Sequence, residues 1–228
     1  MTKLTILIPA YNEAQTLGQI IEGVLNVPLP MQREVIVIDD GSGDETQKIA
    51  QSFKGPEVTF LRHGLNRGKG AAIRTGLARA SGDIVLVQDA DMEYYPSEIP
   101  RLLAPFIDPE VQAVYGSRIL KAGNPKFNLR FYWGGRLISW WTNRLYGSKL
   151  TDEPTGYKAF RAGLLQSLDL SADGFEFCAE ATAKMLKRRI RIVEVPISYR
   201  PRGFHEGKKL SVWDGLTALW TLTKHRLF

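Results

Sequence analysis

Cysteine is almost absent from this 228-residue chain: Cys178 stands alone. No intramolecular disulfide can form, and a reducing compartment is the natural reading. Its setting, Phe175-Glu-Phe-Cys-Ala-Glu180, is largely apolar and favours a packed thiol over a nucleophile. Long hydrophobic runs are also missing. Nowhere do the roughly 18 apolar residues of a membrane-spanning helix run together. The N-terminal apolar run ends at Pro9 and is too short for a signal peptide. No low-complexity stretch, internal repeat or linker appears. With 44% hydrophobic and 24% charged residues, the composition is that of a globular chain able to bury a sizeable core. One further absence is local: residues 111–151 contain no acid but seven bases, Arg118, Lys121, Lys126, Arg130, Arg136, Arg144 and Lys149. These seven exceed the formal net charge of +6, so the remainder is close to neutral and the positive charge is a local device.

Two periods alternate through the first hundred residues. Apolar runs of strand length occupy residues 4–8, 35–38, 58–61 and 84–87. Between them, residues 13–25 carry Leu17, Ile20, Ile21, Val24 and Leu25 at helical spacing, and Ser42-Gly-Asp-Glu45 has the form of a capping box opening a helix to about Phe53. A third helix is expected over residues 69–79. Strands apolar on both faces, alternating with helices, imply an α/β fold: a Rossmann-like, mostly parallel sheet flanked by helices on both faces. The second half predicts a strand at 114–117, an aromatic-rich helix over 127–146, a helix over 176–187, a strand-like stretch at 190–199 and a final helix over 211–227. We read residues 1–228 as a single domain with two halves, 1–118 and 119–228.

In parallel sheets ligands bind beyond the C-terminal ends of the strands. Three polar clusters fall there: Tyr11-Asn12-Glu13, Asp39-Asp40-Gly41-Ser42 and Asp89-Ala90-Asp91. Carboxylates crowded at one rim repel each other unless a cation is present. Mg²⁺ and Mn²⁺ prefer oxygen ligands and are shared between one or two carboxylates and substrate phosphates. Such a cation also neutralises a departing diphosphate. Gly68-Lys69-Gly70 opens the third helix but fits neither the Walker spacing nor the dinucleotide fingerprint, so a tight turn and a phosphate contact through Arg67 or Lys69 both stay open. An NAD-type oxidoreductase is excluded, because the first strand–helix turn reads Pro-Ala-Tyr-Asn-Glu and sets a carboxylate where a pyrophosphate must sit.

Together with Asn66-Arg67-Gly68-Lys69-Gly70, Gly116-Ser117-Arg118, Asp152-Glu153-Pro154-Thr155-Gly156-Tyr157-Lys158 and Val195-Pro196-Ile197-Ser198-Tyr199, these clusters resemble the family 2 glycosyltransferases of GT-A fold over nearly the whole chain. Within that family the chain most resembles the dolichyl- or polyprenyl-phosphate sugar synthases. The resemblance implies a metal-dependent hexosyltransferase (class 2.4.1), with residues 1–118 as its nucleotide-sugar-binding half and 119–228 as its acceptor-binding half with interfacial helices. It implies that Pro9, Tyr11, Glu13, Ile38 and Asp40 bind the nucleoside, that Asp89, beside Ala90, contacts ribose or sugar, and that Asp91 with Glu93 holds Mg²⁺ or Mn²⁺. Related synthases often carry Gln where this chain has Glu93. Arg202 and Lys208, in a basic loop, are candidates to close over the donor diphosphate beside Lys69.

The acceptor is read from the acid-free stretch. Phe127, Phe131, Tyr132, Trp133, Trp140, Trp141 and Tyr146 alternate there with arginines, and Trp213 and Trp220 lie one heptad apart in the last helix. Large aromatics beside Lys and Arg suit a membrane interface. A polyprenyl phosphate joins these features, with Arg118, Arg130 and Arg136 as phosphate ligands. Its phosphate is already ionised and attacks the anomeric carbon without a general base, in one inverting displacement from GDP-mannose or UDP-glucose. A sugar-hydroxyl acceptor is the alternative and needs a base, for which Asp152 and Glu153 are the candidates. A non-catalytic nucleotide-sugar-binding module is a further alternative. Nucleic acid is disfavoured, since an acidic rim repels a polynucleotide. The expected location is peripheral, at the cytoplasmic face of a membrane, with an integral-membrane partner compatible with it.

Overall fold

The computed structural model describes residues 3–53, 55–125, 129–203, 209 and 211–228. Four strands, β1 (Lys3–Ala10), β2 (Gln32–Asp39), β3 (Val58–Arg62) and β4 (Ile84–Val87), pair in parallel in the order β3-β2-β1-β4. Three helices connect them: α1 (Leu17–Asn26), α2 (Thr46–Ser52) and α3 (Lys69–Leu77). Beyond β4 come α4 (Ile99–Leu103), β5 (Ala113–Ser117), α5 (Leu129–Tyr146), β6 (Lys158–Arg161), α6 (Ala162–Ser167), α7 (Phe177–Lys187), β7 (Ile192–Pro196) and α8 (Val212–Leu227). β6 inserts antiparallel between β4 and β5, and β7 joins β5 in parallel, which completes one seven-stranded sheet. The second half of the chain therefore builds into the same sheet as the first.

The central strands β1, β4 and β5 are buried on both faces. Along β1, Leu4, Ile6 and Ile8 pack with α1 and α4 on one side, while Leu7 packs with Ile38, Ala72, Ile73 and α7 on the other. Burial of that kind is worth about 1.5–3 kcal/mol per large aliphatic side chain. A third cluster, Ile138, Ala179, Ala183 and Leu222, ties α5 and α8 to α7.

Several local expectations are corrected. α1 begins at Leu17, four residues late, because the Glu13 carbonyl accepts from Thr16 and Leu17 in a preceding turn. The Ser42–Glu45 capping box does not form: α2 starts at Thr46 without a side-chain cap, and the Ser42 hydroxyl instead accepts from the Asn12 amide at 2.9 Å. α3 ends at Leu77 rather than Arg79, and the strand expected over 190–199 is confined to β7. The strand β6 and the helices α4 and α6 were not anticipated. The capping box that does form belongs to α8, where Ser211 and Asp214 bond reciprocally.

Candidate functional site

Every motif ends at one rim. β1, β2, β4, β5 and β7 deliver their C-terminal ends there, and antiparallel β6 delivers its N-terminal end, since Lys158 registers with Val87 and Tyr115. The rim opens into a cavity of about 1380 Å³. Its donor-side wall includes Pro9, Tyr11, Glu13, Asp40, Lys69, Asp89, Ala90 and Asp91. Arg118, Arg130 and Arg136 line the same cavity, and so do apolar residues of α5 and α8 such as Leu137 and Leu219.

Asp91 is half-buried among the acids of the rim. Burial, then the charges of Asp89 and Glu93, push its carboxyl up to about 7, against the opposing pull of Arg202. Arg202 reaches in to meet it: Nη2 lies 2.9 Å from Asp91 Oδ2, and Nη1 lies 2.9 Å from Glu13 Oε2. Lys209 adds a second cation, 2.6 Å from Glu13 Oε1 and bonded to the Tyr11 carbonyl. Lys69 pairs with Asp89, next to the Phe175 ring.

Glu93 lines the same cavity. Its Oε1 accepts from the Arg202 amide at 2.9 Å and its Oε2 from the Tyr199 hydroxyl at 3.2 Å. Among the described residues no three His, Cys, Asp or Glu side chains are arranged to hold a metal by themselves. The donor set still fits a hard divalent cation of the kind that takes one or two carboxylates and completes its shell with substrate phosphates and water. The raised pKa of Asp91 expresses the same need for positive charge.

Other expected residues are placed differently. Ile38 is fully buried in the sheet core and does not line the cavity, because alternation along β2 turns its side chain toward α3. Asp40 does line it, yet both its oxygens are engaged: Oδ1 with His63 Nδ1 at 2.6 Å and the Arg67 amide at 3.0 Å, Oδ2 with the Gly68 amide at 2.8 Å. Asp40 thus holds the 63–68 loop against the rim. Gly41 makes that approach possible, with φ of 75° and the Leu65–Asn66 peptide where a Cβ would lie.

The N-terminus of α3 is not open to phosphate. The Gly70 and Ala71 amides donate to the carbonyls of Gly174 and Asp173 at 3.2 and 3.0 Å. Gly68-Lys69-Gly70 therefore acts as a turn and helix start, and Gly68 and the Lys69 side chain line the cavity. Lys208 lies outside the described residues, as do Lys126 and Phe127. Lys209, not anticipated, carries the contact in that stretch. Its signal was the same Lys-Lys pair, with no spacing to distinguish the two.

On the far side Arg118 grips Asp152 bidentately, Nε to Oδ2 and Nη2 to Oδ1, both at 2.7 Å. The Arg118 charge and its hydrogen bonds overcome burial and hold the Asp152 carboxyl below its usual range. Glu153 is 1% exposed, and burial raises its pKa. Gly156 abuts Asp89 so closely that a Cβ there would meet the carboxylate, with Lys69 Nζ 3.2 Å away. Arg136 lies 3.2 Å from the Thr151 carbonyl. Cys178 is half-buried, lines the cavity, and bonds weakly to the Thr155 carbonyl at 3.8 Å.

Beyond the arginines the helix surfaces are apolar and exposed. Trp133 and Trp140 on α5, and Trp213 and Trp220 on α8, are each more than half exposed. Trp140 and Trp220 share a second, apolar hollow with Leu137, Trp141 and Leu219 between the two helices. No described helix is long and apolar enough to cross a membrane.

Residues 5–169 match the model of glycosyl transferase family 2. The chain is 33% identical to the undecaprenyl-phosphate mannosyltransferase of Micrococcus luteus, over all of this chain and 99% of that one. It is 31% identical to the dolichol-phosphate mannosyltransferase of Pyrococcus furiosus, over 97% of this chain but only 64% of that protein's length. The glucosyl-3-phosphoglycerate synthase of Mycobacterium tuberculosis, solved with Mg²⁺ and UDP, superposes with a TM-score of 0.77 over all of this chain and 80% of that one, at 22% identity. That likeness confirms the expected GT-A fold. From the rim motifs in their order and the match across most of its length, this chain belongs to glycosyl transferase family 2.

Proposed function

We propose that the protein transfers a hexose from a nucleoside-diphosphate sugar, GDP-mannose or UDP-glucose, to a polyprenyl phosphate at a membrane surface. One observation carries this reading: Arg118, Arg130 and Arg136 line the same cavity as Asp89 and Asp91, and its residues Leu137 and Leu219 also line the hollow that holds the exposed Trp140 and Trp220. Arginine suits a phosphate, and exposed tryptophans beside arginines suit a lipid headgroup layer. The names of the Micrococcus and Pyrococcus relatives support the same acceptor class.

In this account Tyr11, Glu13 and the loop held by Asp40 seat the nucleoside. Lys69 orients Asp89 against the sugar. Asp91 holds the divalent cation, which supplies positive charge toward the diphosphate when bound. Arg202 and Lys209 leave their carboxylates for the diphosphate as the donor enters. An acceptor phosphate oxygen attacks the anomeric carbon, the bond from that carbon to the diphosphate breaks with inversion, and the electron pair leaves with the nucleoside diphosphate. No proton has to be removed. Asp152 serves as the holder of Arg118 rather than as a base, in keeping with its doubly engaged, low-pKa carboxyl.

Two experiments test the reading. Sedimentation with anionic vesicles should retain the wild type and lose most binding in a Trp140→Ala/Trp220→Ala double variant; equal sedimentation of the two contradicts the surface. Glu153→Gln should retain transfer to polyprenyl phosphate within about tenfold; loss of about a thousandfold with normal donor binding indicates a general base and a hydroxyl acceptor.

A further inference from the structure

The loop between α5 and β6 forms the wall where donor and acceptor sides meet. At one end Asp152 fixes Arg118, and at the other Gly156 presses against Asp89. Its backbone is tied from several elements. Glu194 of β7 accepts the Thr151 and Asp152 amides at 2.8 and 2.9 Å, Ser139 of α5 accepts the Glu153 amide at 3.0 Å, and the Tyr94 hydroxyl accepts the Gly156 amide at 3.1 Å.

Beneath this wall lies a lysine that the proposed chemistry does not use. Lys158 opens β6 and is 1% exposed. Its ammonium donates to the Glu153 carbonyl at 2.6 Å and rests 3.3 Å from the centre of the Tyr115 ring. Tyr115 is pinned in turn to Thr182 of α7 at 2.7 Å. A buried ammonium is costly unless it is hydrogen-bonded and paired, and a hydrophobic side chain would fill the same space at less cost. Its placement is explained by what it holds: a charged donor on a carbonyl is a strong, directional bond in a low-dielectric interior. The bond closes back over five residues, from the strand to the Glu153–Pro154 peptide.

We infer that Lys158 is a positioning residue, which clamps the Glu153 carbonyl to Tyr115 and α7 and so fixes the Asp152 carboxylate that aims Arg118 at the acceptor phosphate. Its action on an acceptor phosphate rests on the function proposed above; its action on Arg118 does not. In the proposed reading the nucleoside is seated elsewhere, by Tyr11, Glu13 and the 63–68 loop that Asp40 ties, and of this wall only Gly156 reaches the donor side, at Asp89.

The experiment compares Lys158→Met, which keeps length and removes the charge, with Ser139→Ala, which frees the amide of the same residue, Glu153, and buries no new charge. The first readout needs no acceptor. In a ¹H–¹⁵N spectrum the Arg118 Nε–H signal, assigned by its loss in Arg118→Lys, should be slow to exchange in the wild type, because Asp152 Oδ2 accepts it. Both variants should shift that signal and speed its exchange. The second readout is kinetic: the KM for polyprenyl phosphate should rise about tenfold or more, with nucleotide affinity and slow donor hydrolysis unchanged. Retention of the wild-type Arg118 signal in both variants overturns the inference, as does a parallel loss of nucleotide affinity. If Lys158→Met does not fold, the signal in Ser139→Ala decides. Failure of the wild type to use polyprenyl phosphate removes the proposed acceptor and leaves the spectral test standing.

Discussion

Replacing Asp91 by asparagine should invert an ordinary expectation about carboxylates and pH. The Asp91 carboxyl is pushed up to about 7 by burial and by Asp89 and Glu93, so the folded, cation-free protein binds this proton more tightly than the unfolded chain does. The stabilising contribution is therefore fully present below the unfolded value, declines as pH rises, and is gone once pH passes about 7. From pH 5 to pH 8 some two units of that shift are lost, or about 3 kcal/mol at 1.36 kcal/mol per unit. For a chain of this size that corresponds to roughly 6–12 °C in Tm. Asp91→Asn cannot ionise. Melting curves in EDTA should thus show the variant gaining on the wild type by about that amount between pH 5 and pH 8. The comparison is specific. Glu34, held at about 2, and Asp152, held low by Arg118, lose their contribution only in acid and are present in both proteins. Wild-type and variant Tm profiles that run parallel across this range would refute the reasoning.

Gly156→Ala places a methyl against the Asp89 carboxylate and near Lys69 Nζ; nucleotide-sugar affinity should fall about tenfold or more by calorimetry, with Tm changed far less than by a core cavity. Arg202→Gln withdraws a cation from Glu13 and Asp91; Mn²⁺ binding to the donor-free protein should tighten in an electron-paramagnetic-resonance titration, while affinity for nucleoside diphosphate falls. Asp152→Asn leaves the Arg118 guanidinium half-paired in a buried setting and should cost about 3 kcal/mol in urea melts, within the range for breaking a buried ion pair. Cation binding with nucleotide at pH 6 should release close to one proton, read from calorimetry in buffers of different ionisation enthalpy, and none in Asp91→Asn.

The parallel half of the sheet was legible because its strands are apolar on both faces and its helices keep a 3.6-residue period. Residues 84–87 read as β4 without ambiguity. β6 escaped because its four residues run Lys-Ala-Phe-Arg, and a buried lysine at the head of a strand reads as polar and exposed. Its antiparallel insertion between β4 and β5 is a tertiary pairing with no local signature. Ser42 had the right spacing for a cap, but the Asn12 amide, 30 residues earlier, took its hydroxyl. At the site, Asp89 and Asp91 were legible from the strand beneath them. The partners that define their state were not. Arg202 is 111 residues from Asp91, and the carbonyls that close the α3 N-terminus come from residues 173 and 174. Ile38 was misplaced because a motif's position does not say which way alternation turns its side chain.

Acceptor choice separates transfer to a phosphate from transfer to a hydroxyl most directly. Purified protein with Mg²⁺ and a labelled nucleotide sugar, GDP-mannose and UDP-glucose in separate reactions, should be offered polyprenyl phosphate, the corresponding prenol, and a free sugar in detergent. Label should enter the lipid phase with polyprenyl phosphate alone, as a product of inverted anomeric configuration, and this should cease in EDTA. Transfer to the prenol or the sugar at an equal rate, or transfer undiminished by EDTA, would contradict the proposed function.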